Sequence, residues 1–175
     1  MILKLKRTPG IYLVGFMASG KTTIGKLLAH ELGWAFADID EDIEAEHGSS
    51  IAQIFDTHGE QEFRRIESEA IQKRVREVER GRAMVVALGG GAFCEACNIE
   101  ILQPNGVSIW LDCPFPVLKE RVEQTNHRPL ARDPEFFQKL FSGRRAHYEK
   151  SDFRIEIQSD DPALAVESIL KLPIF

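Results

Sequence analysis

Gly15-Phe16-Met17-Ala18-Ser19-Gly20-Lys21-Thr22 is a full match to G-x-x-x-x-G-K-[ST]. Glycines at the two ends let the backbone fold tightly, so that successive N–H groups point inward at phosphate oxygens. A helix starting near Lys21 would add its positive N-terminal end. Lys21 supplies a point charge for the outer phosphates and Thr22 a hydroxyl for Mg²⁺. The bland alternative is a glycine turn ahead of an ordinary helix, with Lys21 solvated. A buried run before the loop and a helical pattern after it supply the context that the motif needs. Nucleotide binding follows; the use made of the nucleotide does not.

Other residues carry weaker signals. Asp38-Ile39-Asp40 closes a short apolar run, and in an extended chain residues two apart share a face. One carboxylate could serve Mg²⁺ while the other orients or deprotonates a hydroxyl. Capping of the following helix explains them equally well. Gly89-Gly90-Gly91 follows another apolar run. It reads either as a flexible turn or as backbone brought close to a ligand. Among the arginines, Arg64 has Glu67 at i+3 to hold its fork. Arg128 falls in a polar stretch suited to a lid over a transferring phosphate, and Arg144 and Arg145 share a turn with Tyr148. Cys94 and Cys97 form half of a zinc or redox pattern. No second pair at metal spacing accompanies them, so reduced structural thiols are the better reading.

Short β-rich runs alternate with helical patterns, the rhythm of a parallel sheet wrapped by helices. Strands are expected at 11–14, 34–39, 84–88, 107–111 and 153–157. Helices are expected at 21–32, 40–46, 51–55, 60–80, 114–124, 136–148 and 162–172. The stretch 125–134, with two prolines and two arginines, reads as a mobile loop. The expectation is a three-layer α/β sandwich forming one domain over 1–175.

Composition narrows the partners. The 175 residues are 43% hydrophobic and 28% charged, and 22 Lys+Arg face 27 Asp+Glu for a net charge of −5. A chain of that balance has no overall basic field for nucleic acid or anionic lipid. It must catch anions with a few placed cations. No apolar run approaches the roughly 18 residues of a membrane span. Lys4, Lys6 and Arg7 ahead of the apolar run 11–18 imitate a secretory leader. That run leads into the phosphate loop, however, so it reads as the first strand. An odd count of three cysteines points to a reducing compartment.

In order along the chain, these segments resemble the shikimate kinase family. The opening loop 15–25, Phe36 to Ile43 with its Asp pair, and Gly59-Glu60 leading to Phe63-Arg64 and Glu67 each resemble a family motif. So do Leu88 with the glycine triplet, Arg128-Pro129-Leu130 in the lid (about 125–134), and Arg144 with Tyr148 four residues on. The resemblance covers nearly the whole chain. It implies a five-stranded parallel sheet of order 2-3-1-4-5 and ATP-dependent phosphorylation of the 3-hydroxyl of shikimate, toward chorismate and the aromatic amino acids.

Carried over residue by residue, Gly15, Ala18, Ser19, Gly20, Lys21, Thr22 and Thr23 would hold ATP, with Arg121 stacked on adenine. Lys21, Asp40 and Arg128 would be catalytic, and Thr22 and Asp38 would serve Mg²⁺. Asp40, Arg64, Gly89, Gly90, Gly91 and Arg144 would bind shikimate. The spacing to Tyr148 favours Arg144 over its neighbour Arg145. The chain is expected to be a cytoplasmic monomer with no nucleic acid or membrane partner. Two departures stand out. Ala18 occupies a position where the family usually has glycine, and Arg132 follows the lid motif where the family more often continues with a second leucine and a polar stretch. Another small-molecule kinase, such as a gluconate kinase, and a nucleotide-dependent regulatory module are the rival readings.

Overall fold

The structure is a computed structural model that describes residues 10–125 and 133–175. Five parallel strands form one sheet in the order β2-β3-β1-β4-β5: β1 Gly10–Val14, β2 Ala35–Asp38, β3 Met84–Ala87, β4 Gly106–Asp112 and β5 Phe153–Glu156. All five residues of β1 and all four of β3 are buried, as expected of parallel strands covered on both faces. The edge strands β2 and β5 are only partly buried. β1 pairs with β3 on one side and β4 on the other. The apolar run that imitates a leader is therefore the middle of the sheet.

The helices are α1 Lys21–Leu32, α2 Ile39–His47, α3 Ile51–Glu79, α4 Ala96–Leu102, α5 Phe115–Gln124, α6 Pro134–Tyr148 and α7 Pro162–Leu170. α1 packs on the sheet beside α7. Its Gly25 has no room for a side chain, because a Cβ there would stand 2.6 Å from the Phe36 ring and 3.1 Å from Leu13. Strand residues alternate faces, so Tyr12 points away from α1, and its hydroxyl donates to the Asn105 carbonyl at 3.1 Å. On that side α3 packs against α4. Among the described residues no helix is long and apolar enough to cross a membrane.

Three differences from the sequence reading have local causes. The expected strand 34–39 stops at Asp38, because Asp38 caps a helix that already includes Ile39 and Asp40. The expected helices 51–55 and 60–80 run together as α3, kinked at Gly59, whose φ of 80° and ψ of 171° are not helical. Only glycine adopts that conformation readily. Third, α4 and the 3-10 turns that flank it, Ala92–Cys94 and Gln103–Asn105, were not anticipated. A seven-residue helix is too short for periodicity to announce. The lid motif 128–130, with Arg128, and the departure at Arg132 lie outside the described residues.

Ala18 has a φ of 64°, the only positive φ on a non-glycine among the described residues. In that region a Cβ crowds the following carbonyl oxygen, at about 1–2 kcal/mol. Glycine would remove the strain but would also loosen the unfolded chain by about 0.4–1 kcal/mol. Ala18→Gly should therefore gain about 0.5–1 kcal/mol in urea unfolding, with Tm rising about 1–4 °C. A loss of stability would mean that the methyl group contributes more by packing than it costs in strain.

Candidate active site

The functional residues collect at the C-terminal ends of the strands, where open α/β sheets bind ligands. Here a cleft of about 670 Å³ runs from the phosphate loop past Asp38 and Asp40 to Gly90, and on the other side to Arg121 and Asp160. The loop itself is tight. Gly15 at φ 152° and Gly20 at φ 95° turn the backbone, and the Ser19 amide donates to the Phe16 carbonyl at 3.2 Å. The Lys21 ammonium bridges the mouth of the loop, donating to the carbonyls of Gly15 at 2.7 Å and Phe16 at 2.8 Å. Those bonds hold the charge at the start of α1, where the helix end favours anions as well.

Asp38 caps α2 with one oxygen and meets Thr22 with the other. Its Oδ1 accepts from the amides of Asp40 (3.0 Å) and Glu41 (3.2 Å), capping α2. Its Oδ2 accepts from the Thr22 hydroxyl at 2.5 Å. A hydroxyl and a carboxylate held together beside a phosphate loop are the hard oxygen donors that suit Mg²⁺. Asp40 reaches the same cleft from the first turn of α2, not from an extended strand with Asp38 on a shared face, and the two carboxylates still converge there.

The glycine triplet has a steric reason beyond the two that the sequence offered. None of the three has a positive φ. Each stands where a charged side chain needs the space. A Cβ on Gly91 would overlap the Arg64 guanidinium, and one on Gly90 would lie 3.2 Å from Arg144 Nη1. A Cβ on Gly89 would overlap Glu67 and lie 3.0 Å from Asp40 Oδ1. Two cations and two carboxylates are thus gathered around one stretch of bare backbone. Tyr148 donates its hydroxyl to the Gly90 carbonyl at 2.5 Å, tying α6 to the same stretch.

The two adjacent arginines part here. Arg144 turns toward Gly90, with its guanidinium carbon 5.7 Å from the Phe16 ring centre. Arg145 turns away and pairs with Asp112 at 2.8 Å. On the far side of the cleft, Arg121 donates to the Ala18 carbonyl at 2.9 Å and pairs with Asp160 at 2.7 Å. It thereby braces the strained residue of the loop. Ser159, Asp160, Asp161 and Pro162 line that side and were not singled out from sequence. Their place just after the last strand was the available signal. Cys94 and Cys113 are free thiols whose pKa values burial pushes up; Cys97 is also free and is exposed. Among the described residues no three His, Cys, Asp or Glu side chains gather to hold a metal ion.

The family model for shikimate kinase matches residues 17–172. The shikimate kinase of Persephonella marina is 40% identical over 161 residues, spanning 91% of this chain and 96% of that protein. A solved structure described as shikimate kinase from Acinetobacter baumannii in complex with shikimate superposes with a TM-score of 0.87 at 31% identity, over 98% and 96% of the two chains. That of Aquifex aeolicus gives 0.81 at 34%, over 92% and 94%. The chain belongs to the shikimate kinase family. The expected sheet order 2-3-1-4-5 is the observed one.

Within this shikimate kinase site Glu67 has a larger part than its sequence position suggested. Its side chain is 1% exposed, and Arg64 Nη1 meets its Oε1 at 2.7 Å. Burial pushes its pKa up to about 7, and the nearby Asp40 charge adds to that rise while Arg64 and Arg144 oppose it. A carboxyl raised above its unfolded value of 4.5 contributes stability that is complete below 4.5 and is lost as pH climbs through 7. Glu67→Gln has nothing to titrate there. The stability advantage of wild type over this variant should shrink by on the order of 2 kcal/mol between pH 5 and pH 8 in urea unfolding. A pH-independent difference would mean that Glu67 does not titrate in this range.

Proposed function

We propose that this enzyme transfers the γ-phosphoryl group of ATP to the 3-hydroxyl of shikimate, releasing shikimate 3-phosphate and ADP. The observation that carries the reading is the convergence of Arg64 and Arg144 on the glycine triplet, beside Asp40 and across from the phosphate loop. In a chain of net charge −5, two such cations at one spot suit a small carboxylate-bearing substrate. The Acinetobacter baumannii relative, solved in complex with shikimate, supports the same acid.

The roles follow from position. The loop amides and Lys21 hold the phosphates, and Lys21 draws charge from the transferring group. Arg121 and the segment after β5 bound the nucleotide's base. Arg64 and Arg144 clamp the carboxylate, which sets the ring against the bare backbone of Gly89 to Gly91. Asp40 accepts a hydrogen bond from the 3-hydroxyl and takes its proton as the oxygen bonds to phosphorus. A loose transition state needs little base strength, so orientation is the larger part of that role. Thr22 and Asp38 are the residues that would hold Mg²⁺, which when bound neutralises charge on the phosphates. Arg128 is assigned to the transferring phosphate on its motif alone. A cytoplasmic setting accords with a step toward the aromatic amino acids.

ADP release measured with shikimate, gluconate and nucleoside monophosphates tests the assignment; turnover confined to gluconate or to a nucleotide would overturn it. Arg64→Leu and Arg144→Leu should each raise the shikimate KM about 10- to 150-fold, since a charge-assisted pair contributes roughly 1.5–3 kcal/mol. The KM for ATP should stay near wild type. Shikimate methyl ester should bind wild type nearly as poorly as the acid binds the variants, and should lose little more against them. Equal losses for acid and ester would assign the arginines to something other than the carboxylate.

The two aspartates should separate in a magnesium titration at saturating shikimate and ATP. Asp38→Asn should recover part of its turnover as Mg²⁺ rises, because mass action refills a weakened site. Asp40→Asn should not, since an amide neither takes the proton nor carries the orienting charge. Equal recovery of both variants would place both residues at the metal.

A further inference from the structure

We infer that Asp112, at the end of β4, is a positioning residue for the acid clamp: by gripping Arg145 it sets the rotation of α6 that aims Arg144 at the substrate. The inference rests on the reading of Arg144 as a carboxylate clamp. Successive helix residues point about 100° apart, so only one of two adjacent arginines on α6 can face the glycine triplet. The spacing to Tyr148 favours Arg144, but two adjacent arginines of equal reach leave the choice unsettled in the sequence.

The structure makes the choice through Asp112. Its side chain is 8% exposed, and both carboxylate oxygens are engaged by Arg145, Nη1 to Oδ1 at 2.8 Å and Nη2 to Oδ2 at 3.2 Å. This two-point fork fixes direction as well as distance. Arg154 from β5 adds Nε and Nη2 contacts to Oδ2 at 2.9 and 2.6 Å, so the carboxylate is anchored from the sheet side too. The guanidinium carbons of Arg145 and Arg154 lie 4.9 and 5.1 Å from the Trp110 ring centre, and Arg145 lies 5.5 Å from that of Phe141. Arg145 is therefore held by charge on one side and by aromatic faces on the other. Three residues further along α6, Tyr148 is tied to the Gly90 carbonyl. With those two points fixed, the Arg144 guanidinium falls beside Gly90 and Phe16.

Asp112→Asn keeps the volume and gives up the two-point charged grip. The expected result is a shikimate KM raised about 5- to 20-fold, with kcat and the ATP KM within about twofold of wild type. Arg145→Gln, which leaves the sheet untouched, should do the same. The double variant should be no worse than either single, because both remove one interaction. Arg154→Gln should stay near wild type, since it leaves the Arg145 fork in place. The preference for shikimate over its methyl ester should shrink in Asp112→Asn and Arg145→Gln and collapse in Arg144→Leu.

An Asp112→Asn enzyme with wild-type KM and preference, beside a collapsed Arg144→Leu, overturns the inference and leaves the clamp standing. Parallel losses in kcat and both KM values for Asp112→Asn, Arg145→Gln and Arg154→Gln alike would reduce Asp112 to a structural residue and also overturn it. Full ester discrimination in Arg144→Leu would overturn the clamp itself and this inference with it.

Discussion

Arg64 and Glu67 meet at 2.7 Å with the carboxylate all but sealed from water, and Asp40 stands close by across Gly89. A buried pair of this kind is unfavourable to assemble and far worse to break, because removing one partner leaves an uncompensated charge. Its place is set by α3 after the kink at Gly59, by bare backbone at Gly89 and Gly91, and by the helix that Asp38 caps. The end of the site around the glycine triplet is built around that contact. The rise in the Glu67 pKa comes first from its burial, with the Asp40 charge adding to it and Arg64 opposing it.

The same device recurs around the cleft. An acidic chain must concentrate positive charge in one place without a basic field to help. It does so by giving three of its cations a fixed acceptor: Glu67 for Arg64, Asp160 and the Ala18 carbonyl for Arg121, loop carbonyls for Lys21. Where two arginines are adjacent, Asp112 occupies the one that is not needed in the site. Fixed cations lose less side-chain entropy on meeting a ligand than solvated ones do, which favours binding and orientation together. Glu67 lies on the same helix as Arg64, but Ala18, Asp160 and Asp112 reach their arginines from other segments that the sheet brings together.

Bracing also bears on the phosphate loop. Ala18 takes a left-handed conformation that glycine would adopt without strain, and its carbonyl accepts from Arg121. Arg121 is thus bonded to the one non-glycine residue with positive φ among the described residues.

Much of this was legible in the residues alone. The phosphate loop, α1 from Lys21 to Leu32 and the alternation of strands with helices are local, periodic or motif-borne, so they could be read without the fold. The family resemblance supplied the strand order and ordered the site segments along the chain. Tertiary structure decided whatever depends on which side chain meets which across the sheet. It divided Asp38 between a cap and Thr22, put Asp40 on a helix rather than a strand, and chose Arg144 over Arg145 through a carboxylate 33 residues away in the chain. It also turned the glycine triplet from a candidate flexible turn into clearance for four charged groups. Periodicity reports which face of an element is buried, but the partner that an ionised side chain will find depends on long-range contacts. Those exist only once the strands have paired.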